Sequence, residues 1–194
     1  MGRPREHDEN TAAALLAAAE QLVREHGVGA LSLRAVASSA GTTTRAVYSV
    51  FGSKEALLGA LGVRAFEMLH EGLEALPVTD DPRHDVVEAA LMFRRFALDH
   101  PTLFELAFQR VDPAVKPQFR SAADNALAVL YRRFEPLQSA GLLGARSAPE
   151  AVLMFHALCE GMTGVELRGI PMGPDPERMW RIAFRALVTG FKDS

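Results

Sequence analysis

The chain of 194 residues, with 48% hydrophobic and 23% charged residues, has the composition of a soluble globular protein of one or two domains. Its formal net charge of −3 does not by itself indicate a nucleic-acid binder. A single cysteine excludes an internal disulfide, and no apolar run approaches the roughly 20 residues of a membrane span. The charged start of the chain lacks an apolar signal core, so we expect a cytoplasmic protein.

The chain opens with polar residues 1–9, for which we expect a tail. Residues 2–5 (GRPR) suit an arm in an adjacent DNA minor groove, where arginine is favoured, or a solvated tail without fixed contacts. A first helix is predicted from residue 10 or 11 to 26, because apolar residues there recur at helical spacing.

Residues 31–58 predict two short helices joined by a tight turn and followed by the start of a third. Ser32 is a suitable N-cap for the first helix of this pair, and Gly41 supplies the turn between the two. The second helix of the pair is predicted over Thr44–Phe51. Its inward residues are predicted to be Val47, Val50 and Phe51. This is the pattern of a helix-turn-helix unit, whose second helix enters the DNA major groove.

The outward side of the second helix carries side chains that can contact DNA. Arg45 is predicted to read base edges, since arginine makes a bidentate contact to guanine, with Thr44 and Ser49 as further candidates. The residues predicted to hold phosphates are Ser32, Arg34, Thr43, Tyr48 and Lys54. Residues 1–54 hold six Lys or Arg against five Asp or Glu. DNA affinity must therefore depend on local placement of the cations.

The order of residues in this stretch is specific to one family. The positions that carry the pattern are Leu33, Arg34, Val36-Ala37, Ala40-Gly41, Val47-Tyr48, Phe51 and Lys54-Glu55-Ala56-Leu57-Leu58. In these residues the chain resembles the TetR family of transcriptional regulators. It departs at Thr42, where the family usually has an apolar residue, and at Arg45, where it often has glycine, so no operator sequence is carried over. The resemblance implies a homodimer, usually a repressor, that binds an inverted-repeat operator and is released by a small, mostly apolar effector.

The rest of the chain also predicts helices. A long helix from 53 to 76 contains Gly59, Gly62 and Gly72, which indicate close packing or bending. Further helices are predicted over 86–98, 102–110, 119–139, 149–168 and 176–191. No alternating strand pattern is present, so we expect an all-α fold of about nine helices. We assign residues 1–54 to a DNA-binding head and 55–194 to an effector-binding and dimerisation domain.

The last two predicted helices are candidates for a dimer surface, because their apolar residues spread over wide faces. The expected interface residues are Ala157, Gly161, Gly164, Val165, Trp180, Phe184, Leu187, Val188 and Phe191. The alternative is that both helices complete the core of one monomer.

An effector pocket is expected between the middle helices, as the resemblance implies. Its candidate lining residues are Met68, His70, Met92, Phe96, Phe104, Phe108, Phe155, His156, Cys159, Glu160 and Met162. Residues of these types more often fill an ordinary core than line a ligand pocket, since methionine fills irregular gaps and buried histidines are usually hydrogen-bonded. Residues 100–108 and 160–169 are similar to the effector domain of one large TetR branch, with Glu160 where that branch usually has histidine.

Two other classes of function compete with this interpretation. His156, Cys159 and Glu160 have the i, i+3, i+4 spacing of helical metal ligands, but no second metal motif accompanies them. No phosphate-binding glycine loop or nucleophile elbow is present, so we expect no enzyme, cofactor or metal. A helical small-molecule-binding dimer without sequence-specific DNA binding is the alternative. The intact polar side of the second helix favours DNA binding.

Overall fold

A computed structural model describes residues 5–109 and 117–192, with side chains from residue 10 onward, and those ranges contain helices and turns but no strand. The α-helices are α1 (Arg5–His26), α2 (Leu33–Ser39), α3 (Thr44–Phe51), α4 (Lys54–Ala75), α5 (Pro82–Asp99), α6 (Pro101–Phe104), α7 (Pro117–Ser139), α8 (Ala148–Leu167) and α9 (Pro176–Gly190). The all-α prediction is confirmed.

Most predicted helix ends agree with the structure to within a few residues, and three segments differ. α1 begins at Arg5 rather than at residue 10 or 11, so residues 5–9 of the expected tail are helical. α5 begins at Pro82 rather than at residue 86, because the Asp81 carboxylate accepts the N–H groups of Arg83 and His84 and caps an earlier first turn. The short helix predicted over 102–110 is split into α6 and a π-helical turn, Glu105–Gln109. The predicted minor-groove arm, residues 2–5, lies outside the described side chains.

The described residues divide into two compact units. One contains the described parts of Met1–Ala65 and His100–Arg120, and the other contains those of Phe66–Asp99 and Ser121–Ser194. Helices α4 and α7 contribute residues to both units. The domain boundary expected after residue 54 stays a prediction.

The first unit has its own apolar core, in which α1 packs on α2 and α6. Its fully buried side chains include Leu15, Ala19, Val23, Leu31, Val36, Val47, Leu57 and Leu61. Polar contacts attach the start of α6 to α1, since the Thr102 hydroxyl donates to the Val23 carbonyl at 3.2 Å. His100 Nδ1 lies 3.5 Å from the Glu20 carboxylate. These contacts make α6 part of the same unit as the head helices.

The second unit is organised around an aromatic cluster. The Trp180 indole stacks on the Phe184 ring with 5.5 Å between centroids, and Phe155 meets Phe184 edge-on at 5.1 Å. Phe134 of α7 completes the cluster at 5.5 Å from Phe155. These contacts hold α7, α8 and α9 together, because aromatic pairs in such geometries add to the free energy of burial.

Polar groups close the end of α4 and the start of α5 within this unit. The Arg133 guanidinium donates to the carbonyls of Leu73 and Leu76 at 2.6 and 2.5 Å, which satisfies acceptors that the helix end leaves open. The buried Asp85 carboxylate accepts from the backbone and the hydroxyl of Thr79 at 2.9 and 2.7 Å. No helix in the described ranges is long and apolar enough to cross a membrane.

Candidate nucleic-acid interface and effector domain

The helix-turn-helix is held together by small apolar contacts. Val36 and Val47 have no exposed surface and Ala37 is 3% exposed, so α3 packs closely on α2. Gly41, in the turn between them, has a φ of 64°, which a residue with a Cβ adopts only with strain. The turn predicted from the sequence therefore has the expected geometry.

Both helices begin with a hydroxyl cap. The Ser32 hydroxyl accepts the N–H of Ala35 at 3.1 Å, and the Thr43 hydroxyl accepts the N–H of Ala46 at 3.2 Å. Each satisfies one backbone donor that the first turn of a helix leaves without a partner. These two hydroxyl oxygens are used as caps, so a phosphate would have to be met by their hydroxyl hydrogens or by nearby backbone N–H groups.

The outward face of α3 is the candidate DNA-reading surface. Thr44, Arg45, Tyr48 and Ser49 are all exposed, and Tyr48 is 62% exposed. Their i, i+1, i+4, i+5 spacing puts them on one side of the helix, opposite the buried Val47. The remaining predicted DNA contacts on this unit, Ser32, Arg34, Thr43 and Lys54, are exposed except for the half-buried Lys54.

The prediction that Val50 faces inward is wrong, since this side chain is 39% exposed. It lies three residues after Val47, in the last turn of α3. Phe51 is half-buried.

One acidic residue, Glu55, lies next to Lys54, which is a candidate phosphate contact. Glu55 is exposed in the first turn of α4, next to Lys54. A hydrogen bond from its own backbone N–H, a further one from Ser53 and the charge of Lys54 lower the pKa of this carboxyl. Glu55 is therefore ionised at neutral pH and held locally.

The effector-pocket candidates fall into both units. Phe104 and Phe108 belong to the first unit, where their rings lie 5.2 Å apart, and Phe104 is 1% exposed. The other candidates belong to the second unit. Met92, Phe96, Phe155 and Cys159 are buried there, whereas Met68, His70, His156, Glu160 and Met162 are half-buried. The half-buried group is the more accessible to a ligand in this conformation.

The polar candidates of the second unit already have partners. His70 Nδ1 lies 3.4 Å from the Asn125 carbonyl, and His156 Nδ1 lies 3.0 Å from the Glu160 carboxylate. Burial, and to a smaller extent the charge of Glu160, raise the pKa of the Cys159 thiol. Cys159 is therefore a neutral thiol at physiological pH. Within residues 10–109 and 117–192, no three His, Cys, Asp or Glu side chains are arranged to hold a metal ion.

The expected dimer interface needs correction. Trp180, Phe184 and Val188 have no exposed surface and Phe191 is 1% exposed, so these four side chains complete the core of the chain itself. Leu187, Val165 and Gly164 are half-buried, while Ala157 and Gly161 are exposed. The large apolar side chains exposed on α8 and α9 are Leu153, Met154, Leu167, Met179 and Ile182. Helical spacing could have found them, since Leu153, Ala157 and Gly161 follow one another at i, i+4, i+8.

The fold and the exposed polar face of α3 define the class of this protein as a helix-turn-helix regulator with a helical second domain. Residues 15–61 match the family model for bacterial regulatory proteins of the TetR family, and residues 86–187 match the model for the tetracycline repressor-like C-terminal domain. The chain belongs to the TetR family of transcriptional regulators. The family recognised from residues 33–58 is thereby confirmed.

The chain is also similar to a curated helix-turn-helix regulator and shares its fold with two solved structures. An HTH-type transcriptional regulator of Mycobacterium tuberculosis is 29% identical over 111 residues, which is 56% of this chain and 47% of that protein. The chain thus matches about half the length of this curated relative. A protein of unknown function from Rhodococcus sp. RHA1 has a TM-score of 0.80 at 26% identity, covering 93% of this chain and 94% of the other. The TetR-family regulator PfmR of Thermus thermophilus has a TM-score of 0.67 at 20% identity, covering 90% and 96%.

Proposed function

We propose that this protein is a repressor that binds an inverted-repeat DNA operator as a homodimer and is released by a small, mostly apolar effector. The observation that carries the DNA-binding part is the asymmetry of α3, with Val47 buried and Arg45 and Tyr48 exposed. A capped helix with one apolar and one hydrogen-bonding side is the form that a major-groove reader takes.

In this proposal the residues of the head have two kinds of role. Arg45, with Thr44 and Ser49, reads base edges, and its exposed guanidinium supports this assignment. Ser32, Arg34, Thr43, Tyr48 and Lys54 contact phosphates and fix the register of the helix on the duplex.

A homodimer is supported by the exposed apolar side chains of α8 and α9. Leu153 is 69% exposed and Ile182 is 49% exposed, and both lie on long helices beside small residues. Exposed apolar side chains grouped in this way mark interaction surfaces. A homodimer also supplies a second recognition helix, which is required because one such helix covers too few base pairs to specify a site.

The effector is proposed to enter the second unit, where the half-buried Met68, Met162 and His156 lie beside an apolar core. Its binding would favour a dimer whose heads no longer match consecutive major grooves. To shift the population from nearly all bound to nearly all free, the effector must prefer the released state by about 5.5 kcal/mol.

The proposal is tested by selecting bound duplexes from a random DNA pool with the purified full chain at low salt. We expect enrichment of an inverted repeat, with half-sites separated by about one helical turn or a multiple of it. The enriched duplex then serves as the probe in a ligand screen that measures release.

The matched control is the Arg45→Ala variant, carried through the same selection after its helical content has been checked by circular dichroism. If the folded wild-type chain enriches no sequence in the absence of added ligand, the proposal is overturned. The protein is then better described as a helical small-molecule-binding dimer without sequence-specific DNA binding.

A further inference from the structure

Helices α2, α3 and α4 begin with the same local arrangement. At each start a hydroxyl oxygen accepts the backbone N–H of the residue three positions later, at 3.1, 3.2 and 3.1 Å, and these hydroxyls belong to Ser32, Thr43 and Ser53. The residue two positions after the hydroxyl is charged in all three helices, and it is Arg34 in α2, Arg45 in α3 and Glu55 in α4. Glu55 therefore reverses the sign of the charge that the other two helices present at this position.

The negative charge of Glu55 is exposed and held at the start of α4. Its carboxylate accepts its own backbone N–H and the hydroxyl of Ser53, and these bonds, with the charge of Lys54, lower the pKa of the carboxyl. Glu55 is exposed, whereas the first turns of α2 and α3 contain no acidic residue. An anion that approaches the first turn of α4 thus meets a negative charge that it does not meet at the other two.

This charge lies close to the surface that is proposed to read DNA. α3 ends at Phe51 and α4 begins at Lys54. The N–H of Gly52 donates to the Tyr48 carbonyl at 2.8 Å, so the chain turns directly after α3. Three residues of chain span at most about 11 Å, which is about one Debye length at 0.1 M salt. The charges of α4 therefore act on phosphates that the end of α3 approaches.

Lys54 and Glu55 act on DNA in opposite directions. An ammonium group attracts phosphate and releases counterions when it binds, whereas a neighbouring carboxylate repels the same phosphate. Every duplex has the same phosphates, so this opposition changes the affinity for all sequences alike. A repressor that an effector releases from its operator must also have a low sequence-independent affinity, because otherwise it stays bound to neighbouring DNA.

We propose that Glu55 limits the sequence-independent affinity of the head for DNA by opposing the attraction between Lys54 and phosphate. The inference rests on the proposed DNA-binding function and adds the residue that keeps its non-specific part weak. A genome offers about 10⁶–10⁹ competing non-specific sites, so a gain in affinity at each of them holds more of the protein away from its operator. In this role Glu55 makes no contact with DNA and acts through repulsion alone.

The test is a set of anisotropy titrations of the full chain with the selected duplex and a scrambled duplex, from about 50 to about 200 mM salt. We expect Glu55→Gln to tighten binding of both duplexes by about three- to tenfold at the lowest salt, because it removes one repulsive charge from each head. Glu55→Arg, which gives α4 the charge of α2 and α3 at this position, should tighten both by at least about tenfold.

Salt dependence and the ratio between the two duplexes separate this effect from a change in stability. For Glu55→Arg the slope of log affinity against log salt should steepen by about 1 or more, since each phosphate neutralised contributes about 0.9. The affinity ratio between the selected and the scrambled duplex should stay within about twofold of wild type, because phosphates carry no sequence information.

Two control variants isolate the charge at this position. Glu55→Asp keeps the negative charge in the first turn of α4, so both affinities should stay within about twofold of wild type. Glu135→Gln makes the same charge change as Glu55→Gln at an exposed position on α7, outside the head, and should also leave both affinities within about twofold. Thermal unfolding by circular dichroism verifies that each variant is folded.

The outcomes distinguish this inference from the proposed function. If the wild-type chain binds the selected duplex but Glu55→Gln and Glu55→Arg bind no tighter, the inference is overturned and Glu55 serves only the first turn of α4. A gain confined to the selected duplex also overturns it, because that gain would depend on sequence. A folded wild-type chain that selects no duplex and binds neither one overturns the proposed DNA binding, and this inference with it.

Discussion

The guanidinium of Arg94 on α5 forms a two-pronged ion pair with the carboxylate of Glu166 on α8. Arg94 Nε lies 3.2 and 3.0 Å from the two carboxylate oxygens, and Nη2 lies 2.6 Å from one of them. The indole N–H of Trp180 on α9 donates to the same carboxylate at 3.0 Å. One carboxylate thus links three helices, and it fixes the relative position of the two that carry the proposed dimer face.

Arg94→Met should destabilise the second unit markedly. The Arg94 and Glu166 side chains are only 14% and 12% exposed, so the substitution leaves a largely buried carboxylate with the Trp180 N–H as its remaining partner. Removing one partner of a buried pair costs about 3–5 kcal/mol, and we expect about 2–4 here because both groups keep some exposure. The measurement is the free energy of unfolding from urea titration.

Arg132→Met is the control for this measurement. Arg132 pairs with Glu74, but their side chains are 54% and 49% exposed. A pair so exposed contributes about 0–1 kcal/mol, so this variant should unfold close to wild type. Equal losses from the two variants would contradict the role of burial in the Arg94–Glu166 pair.

Alanine substitutions at two glycines of α4, Gly59 and Gly62, should change the stability of the fold in opposite directions. A Cβ at Gly62 would lie 2.6 Å from the Phe119 ring, whereas a Cβ at Gly59 would have no neighbour within 4 Å. Alanine gains about 1 kcal/mol over glycine in a helix interior, so Gly59→Ala should raise the unfolding temperature. At Gly62 the overpacking costs about 1–3 kcal/mol and outweighs that gain.

Thermal unfolding of the two variants, followed by circular dichroism, checks this comparison. The prediction fails if Gly62→Ala is as stable as Gly59→Ala. The sequence had indicated close packing or bending for these glycines, and the structure assigns close packing to Gly62 and to Gly72, where a Cβ would lie 2.8 Å from the Met92 sulfur.

The N-cap of α8 should make a pH-dependent contribution to stability. The Ser147 hydroxyl and backbone N–H both donate to Glu150, and they lower the pKa of this carboxyl below its usual value. A lowered pKa in the folded state means that the contribution is present above the unfolded-state pKa and is lost as pH falls through the folded-state pKa. Ser147→Ala should therefore move the pKa of Glu150, followed by NMR titration, back towards its usual value. An unchanged pKa would show that the hydroxyl has no such effect.

The elements that the sequence predicted well are determined by neighbours along the chain. The caps at Ser32 and Thr43 and the turn at Gly41 involve partners within a few residues, so residue type and spacing define them. The Arg94–Glu166 pair joins residues 72 positions apart. Nothing in the local pattern of either residue identifies the other, and this link was not predicted.

The dimer surface shows a second reason for incomplete prediction. Helix α9 carries apolar residues on two sides, and the sequence alone does not distinguish the side that fills the core from the side that stays exposed. The aromatic residues Trp180 and Phe184 were expected at an interface, but they are fully buried within the chain, while Ile182 is the exposed one. The packing of α9 on α5 and α8 decides this, and it depends on distant residues.

Thr43→Ala and Thr44→Ala should separate folding of the head from DNA contact. The Thr43 hydroxyl caps α3, and its loss should cost about 1 kcal/mol of stability. Thr44 is exposed and follows the cap, so its substitution should leave stability within about 0.5 kcal/mol and change DNA binding alone. Urea unfolding and fluorescence anisotropy with the selected duplex measure the two effects. A large loss of stability in Thr44→Ala would contradict this division of roles.

Arg45→Ala and Tyr48→Phe should affect DNA binding in different ways. Arg45 is the exposed cation at the start of α3, and a bidentate contact to guanine contributes about 1–3 kcal/mol of discrimination between bases. Its loss should reduce the affinity ratio between the selected duplex and a scrambled one by roughly 5- to 150-fold. Tyr48→Phe removes one proposed phosphate contact and should weaken both duplexes by similar factors, because phosphates are the same in every sequence. Anisotropy titrations of both variants with both duplexes give the two ratios. If Arg45→Ala keeps the wild-type ratio, base reading must be assigned to other side chains of the α3 face, with Thr44 and Ser49 the next to substitute.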